Sequence, residues 1–137
     1  MRLKTLNSSL AAQFETVRGG AAAKFESVFW FCFDKLDPLT LDEIGKSAEL
    51  DCLLRRQLPN VAGRADLVDA LDECYFDAED DGDDEKAGLY FKLARIAAAL
   101  VMWANSKSNE EYAEAAYEAL MSGDDPEKTA KQYIEQA

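Results

Sequence analysis

Apolar residues recur every three or four positions along almost the whole chain, and this spacing restricts the fold more than any other feature of the sequence. In the first segment the apolar positions are Leu3, Leu6, Leu10, Phe14 and Val17. An α-helix completes one turn in 3.6 residues, so side chains with this spacing lie on one face. No stretch shows the alternation of apolar and polar residues that marks a half-buried strand. The sequence therefore predicts an all-α fold.

Helix-capping signals divide the chain into six or seven predicted helices. Asp37-Pro38 ends one helix, and Thr40-Leu41-Asp42-Glu43 and Ser108-Asn109-Glu110-Glu111 both have the capping-box pattern. Asp125-Pro126 places a cap residue and a first-turn proline before the last helix. A chain of 137 residues has the usual length of one domain. We therefore expect a single-domain helical bundle that spans residues 1–137.

Two of the predicted helices, Ala21–Leu36 and Lys86–Asn105, are apolar on more than one face. We expect this pair to form the centre of the bundle, because a helix that is apolar nearly all round must be covered on most sides. In the first of them, five apolar side chains already fill one stripe, and three aromatic side chains point elsewhere. These three are Trp30, Phe31 and Phe33. We expect at least one of them at an apolar interface with a partner or with a second copy of the chain.

The residue composition excludes most catalytic and metal-binding chemistry. The chain contains no histidine, which removes the commonest general base and the commonest metal ligand. Its cysteines, Cys32, Cys52 and Cys74, form no CxxC pair, and three ligands are too few for a structural zinc site. We expect all three cysteines to be small buried apolar side chains, in a protein of a reducing compartment. We also expect no catalytic residue, no metal and no cofactor, so the protein is predicted not to be an enzyme.

The acidic segment 77–88 resembles the calcium-binding loop of an EF-hand. Asp77, Glu79 and Asp81 occupy loop positions one, three and five, and Gly82 occupies position six. Position twelve, which should be a bidentate glutamate, is Gly88. The sequence therefore does not predict a calcium site here. Because residues Asp77 to Glu85 are polar and include a glycine, we expect them to form a loop between two helices.

The longest apolar stretch, Ala87–Ala104, is predicted to be a buried helix and not a membrane span. It carries Lys92 and Arg95, whereas a membrane span needs about 20 apolar residues with few charges. Residues Met1–Ser8 include two bases but no apolar core of the length that a signal peptide needs. We therefore expect a cytoplasmic protein without a membrane partner.

Negative charge is concentrated in the second half of the chain. Residues 1–64 contain eight acids and nine bases, whereas residues 65–137 contain nineteen acids and six bases, which gives the net charge of −12. Between Asp66 and Glu85 there are eleven acids and no base. Such a segment repels itself and also repels nucleic acid, whose binding requires Lys and Arg to displace counterions. We expect no direct nucleic-acid binding.

Five of these acids are spaced so that they would form a row along one face of a helix. They are separated by three, four, four and three residues, and they are Asp66, Asp69, Glu73, Asp77 and Asp80. At 1.5 Å per residue, neighbouring members lie about 4.5–6 Å apart along the axis, a length scale similar to that of phosphates along a nucleic-acid strand. We expect this row to bind a basic partner, together with the nearby carboxylates Asp81, Asp83 and Asp84. The alternative is a solvated acidic face that keeps the protein soluble.

The sequence features favour a non-enzymatic inhibitor that binds a basic, nucleic-acid-handling protein. A small, acidic chain without catalytic motifs resembles, in composition, the antirestriction and anti-CRISPR proteins that act as DNA mimics. Two alternatives remain open. One is an immunity or antitoxin protein that blocks a toxin. The other is a helical adaptor or dimeric scaffold, including a homodimer, that uses the aromatic surface around Trp30.

Overall fold

The computed structural model describes residues 2–54 and 61–136, of which 84 % are helical and none lies in a strand. Within these residues the nine α-helices are α1 (Arg2–Leu6), α2 (Ser8–Thr16), α3 (Ala21–Phe33), α4 (Pro38–Lys46), α5 (Ala48–Leu54), α6 (Ala65–Asp80), α7 (Asp84–Asn105), α8 (Asn109–Met121) and α9 (Pro126–Gln136). A short 3-10 turn, Val61–Gly63, precedes α6. The prediction of an all-α fold is confirmed.

The described residues form more helices than the six or seven predicted, because two expected helices are each divided by a capping side chain. Asn7 adopts an extended backbone, and its Oδ1 accepts a hydrogen bond of 2.9 Å from the Leu10 N–H. Ser47 does the same between α4 and α5, where its Oγ accepts from the Leu50 N–H. A residue that caps a helix N-terminus has non-helical backbone angles. Each cap therefore begins a new helix although the apolar spacing continues through it.

The start of α4 differs from the predicted capping box at Thr40–Glu43. Asp37 is the N-cap, since its Oδ1 accepts from the Thr40 N–H at 2.7 Å, and Pro38 fills the first helical position. Thr40 lies inside the helix and is buried. The prediction of a cap at Thr40 was wrong. The caps predicted at Ser108 and Asp125 are confirmed, because their side chains accept from the N–H groups three residues later.

The helices α7 and α8 contact more of the other described helices than any other helix does. α7 packs along α6 and α8 and also contacts α3, α4 and α5, while α8 contacts α1, α2, α3 and α9. The contact face of α8 consists mainly of small side chains, which allow neighbouring helices to approach closely. These are Ala113, Ala115, Ala116 and Ala119, all of them buried.

The prediction of two central helices was right for α7 and wrong for α3. α3 packs chiefly on α8, and the face that carries Trp30 is exposed. All nine helices nevertheless contribute buried residues to one hydrophobic cluster, from Leu3 in α1 to Tyr133 in α9. Apolar composition alone therefore did not identify the second central helix.

By length and composition, α7 could cross a membrane, since it has 22 residues and its most apolar window has a mean hydropathy of 1.4. Half of that window is buried in the structure, where α7 packs against α6 and α8. A core helix passes the same test of length and hydropathy. The packing agrees with the prediction of a buried helix over this stretch.

Candidate protein-binding surface

Helix α6 contacts the rest of the described protein through one face only. Its buried residues, Leu67, Leu71 and Ala78, are spaced by four and seven positions and therefore lie on one side. This side packs against α7. The opposite side of α6 is left exposed over the whole length of the helix.

The five acids of the predicted row lie on this exposed side. Asp66, Asp69, Glu73, Asp77 and Asp80 are all in α6 and all exposed. From the first to the last, the acidic row extends about 21 Å along the helix axis at 1.5 Å per residue. The structure thus brings together the five side chains that the spacing selects.

The predicted polar loop from Asp77 to Glu85 is much shorter in the structure. α6 continues through Asp80, and α7 begins at Asp84. Gly82 has a φ of +73°, and the Gly82 and Asp83 N–H groups donate to the carbonyls of Glu79 and Ala78. This is the hydrogen-bond pattern of a Schellman motif, in which glycine relieves the strain of a left-handed backbone. The prediction of a loop at Asp77 was wrong, and the acidic row is helical to its end.

The carboxylates of the turn occupy several structural positions. Asp81 is the exposed C-cap of α6, and Asp84 is exposed in the first turn of α7. Asp83 is half-buried and caps α7, since its Oδ1 accepts from the Lys86 N–H at 3.1 Å. Acids at a helix N-terminus interact favourably with the helix dipole. Asp83 and Asp84 thus have a local role in starting α7 in addition to any role in binding.

Two acids of α6 are neutralised by nearby arginines. Arg64 Nε lies 2.9 Å from Asp66 Oδ1, and this hydrogen bond lowers the pKa of the Asp66 carboxyl below its usual value. Arg95 Nη2 lies 3.0 Å from Asp72 Oδ1. Asp66 belongs to the acidic row, whereas Asp72 does not. The other four members of the row form no ion pair within residues 2–54 and 61–136. These four are Asp69, Glu73, Asp77 and Asp80.

One residue of this surface, Phe76, was not predicted from the sequence, and its side chain is 60 % exposed. Residues three and four positions away on a helix are its surface neighbours. For Phe76 all four of these neighbours are acids, namely Asp72, Glu73, Glu79 and Asp80. The sequence could have indicated this residue, because Phe76 is a large aromatic residue within the acidic segment and does not share the helix face of Leu67, Leu71 and Ala78.

The predicted aromatic site on α3 is only partly exposed. Trp30 is 43 % exposed, and its ring meets those of Phe29 and Phe33 edge-on. Phe33 is half-buried, and Phe31 is half-buried with its ring 5.4 Å from that of Tyr133 in α9. Of the three aromatics, Trp30 alone has the exposure of an interface residue. Its position at a partner or subunit contact stays a prediction.

The carboxylates of the acidic row lie apart from one another along α6, and the Cys32 thiol is buried. Within residues 2–54 and 61–136, no three Cys, Asp or Glu side chains are grouped closely enough to hold a metal ion, because the acidic row spreads its carboxylates along a line. Burial raises the pKa of the Cys32 thiol to about 12, so this thiol is a poor nucleophile. The acidic row is a line of exposed negative charge on α6.

Comparison with known proteins found no matching protein-family model, no match among curated proteins and no match among solved structures.

Proposed function

We propose that the protein is a non-enzymatic inhibitor that uses the acidic row of α6 to bind a basic, nucleic-acid-handling protein. One observation carries this proposal. Four carboxylates of the row, Asp69, Glu73, Asp77 and Asp80, are exposed on one helix face without an ion-pair partner in the described part of the chain. A surface of this kind attracts a basic partner and accelerates its encounter.

The geometry supports mimicry of a nucleic-acid strand. The four unpaired carboxylates, from Asp69 to Asp80, are about 5.5 Å apart on average along the helix axis, whereas phosphates along one DNA strand are about 3.4 Å apart. The acidic row therefore has roughly two-thirds of the linear charge density of a single strand, as follows from these two spacings. A groove that binds a phosphate backbone through Lys and Arg would meet a similar charge pattern in α6.

The test compares two variants that have the same net charge. The row variant combines Asp69→Asn, Glu73→Gln, Asp77→Asn and Asp80→Asn. The control combines Glu15→Gln, Asp34→Asn, Asp42→Asn and Glu135→Gln, four acids that are exposed outside α6. Each variant removes four of the twelve net negative charges.

The assay measures displacement of a fluorescent DNA duplex from purified DNA-binding proteins, among them restriction endonucleases and RNA-guided nucleases. We expect the wild type and the control variant to displace the duplex from a susceptible protein, and the row variant to associate at least about tenfold more slowly. Displacement should weaken as the salt concentration rises from about 0.1 to 1 M. Equal rates for the row variant and the control would show that the acidic row is only a solvated face.

A further inference from the structure

We infer that Phe76 is the apolar anchor of the acidic surface. The partner of this surface is then a basic protein with an apolar recess between its Lys or Arg side chains, into which the Phe76 ring fits. This inference rests on the function proposed above and specifies the partner further. Phe76 is exposed to 60 % and is flanked on the helix by Asp72, Glu73, Glu79 and Asp80. Interfaces commonly place an aromatic side chain at the centre of a polar rim.

Among the described residues, Phe76 does not belong to the hydrophobic core. The core side of α6 is formed by Leu67, Leu71 and Ala78. The neighbouring Tyr75 turns toward α7, where its ring lies 5.7 Å from that of Phe91. The Phe76 ring, by contrast, contacts the Tyr75 ring on its own helix at 5.3 Å and otherwise extends into solvent.

The charges around Phe76 select among the macromolecules that could cover it. A second copy of α6 would bring two acidic rows together, and like charges placed opposite each other are strongly unfavourable. Anionic lipids and nucleic acids are repelled for the same reason. A purely cationic surface would satisfy the carboxylates but leave the Phe76 ring in water. A basic surface that also offers an apolar recess, or an Arg guanidinium to stack on the ring, satisfies both.

The experiment uses two synthetic helical peptides of equal charge as probes. Both have about 14 residues, roughly four turns, with Lys along one face. One peptide carries Leu between the lysines, and the other carries Ala at the same positions. Affinity for the whole protein is measured by fluorescence anisotropy at about 0.05 M salt, where the Debye length exceeds about 10 Å.

We expect the wild type to bind the Leu peptide at least about tenfold more tightly than the Ala peptide. Phe76→Ala should abolish this preference, whereas Phe76→Leu should retain most of it. Leu41→Ala, which removes an exposed apolar side chain from α4, should leave the preference unchanged. Since Phe76 is largely exposed, Phe76→Ala and Phe76→Leu should melt near the wild-type temperature.

Three results would overturn the inference. A preference for the Leu peptide that survives in Phe76→Ala would show that another surface recognises the leucines. Equal binding of the two peptides, weakened for both by the row variant, would remove the anchor but leave the acidic surface and the proposed function intact. Failure of the wild type to bind either peptide, or binding that the row variant leaves unchanged, would count against the anchor and the proposed function together.

Discussion

The most demanding test of the fold concerns Glu118, a carboxylate that joins three helices. Its side chain is only 6 % exposed, and its two oxygens accept from Arg2 Nη2 at 3.0 Å and from Arg95 Nη1 at 2.8 Å. Arg95 also donates to Asp72. The chain of contacts therefore connects α1, α8, α7 and α6. We predict that Glu118→Ala destabilises the protein far more than removal of an exposed acid would.

The size of the effect follows from what each partner loses. Removing one member of a buried ion pair typically costs about 3–5 kcal/mol, because the other charge stays buried without compensation. Here Arg95 keeps its contact with Asp72, and Arg2 is 52 % exposed, so water partly replaces Glu118. Among the described residues, the buried Arg95 Nε has no hydrogen-bond partner, so no hydrogen bond at this atom offsets the loss of Glu118. We therefore expect a loss of about 3 kcal/mol, at the lower end of the range.

Urea denaturation followed by circular dichroism measures this loss. With a slope of about 2 kcal/mol per M, a loss of about 3 kcal/mol lowers the midpoint by about 1.5 M. The matched control is Glu114→Ala, one turn earlier on α8. Within residues 2–54 and 61–136, Glu114 pairs with Arg2 alone, and Arg2 is 52 % exposed, so we expect a contribution of about 1 kcal/mol or less. Equal and small midpoint shifts for the two variants would refute the idea that Glu118 holds these helices together.

Two further predictions concern the stability of the protein at acidic pH, through Asp37, and the exposed aromatic residue Trp30. The Lys92 ammonium and the Thr40 N–H donate to Asp37 and hold the pKa of that carboxyl at about 2. This lowered pKa stabilises the folded state at pH values above the usual pKa of an Asp side chain, and the contribution is lost as the pH falls through about 2. Asp37→Asn should therefore be less stable than wild type at pH 7, by under about 1 kcal/mol because the side chain is 44 % exposed. The difference in urea midpoint should shrink as the pH falls from about 4 toward 2 and vanish only below the folded-state pKa of about 2; a difference that stays constant over this range would contradict the assignment. Trp30→Ala should leave the urea midpoint within about 0.5 M of wild type but abolish any self-association seen by sedimentation, whereas a midpoint shift comparable to that of Glu118→Ala would identify Trp30 as a core residue.

The sequence predicted the helical class and the acidic row well because both depend on local spacing. Asp66, Asp69 and Glu73 were assigned to one face by counting residues, and the structure places them there. The division at Asn7 was missed because the apolar spacing continues through this residue. A polar side chain within such a pattern can either face solvent or turn back to cap a helix, and the pattern does not show which.

The centre of the bundle was harder to predict, because it depends on how closely helices approach one another. α3 was expected at the centre for its many aromatics, yet large side chains also suit a helix whose outer face remains exposed, as Trp30 shows. α8 owes its position to alanines such as Ala113 and Ala116, which are buried completely but contribute little to a hydrophobicity pattern. Phe76 was missed for the opposite reason, since a single aromatic among acids forms no pattern at all.

A comparison between two exposed helices argues that the charge of α6 is more than a means of staying soluble. α9 carries two acids and two bases, whereas α6 carries seven acids and no base. Interspersed charges of both signs, as on α9, are sufficient for a soluble helix surface. Charges of one sign on α6 repel one another and destabilise the folded state. If solubility were their only role, the row variant would gain stability without losing any activity. If the acidic row binds a basic surface, the same variant gains stability and loses its partner, and this combined outcome separates the two explanations.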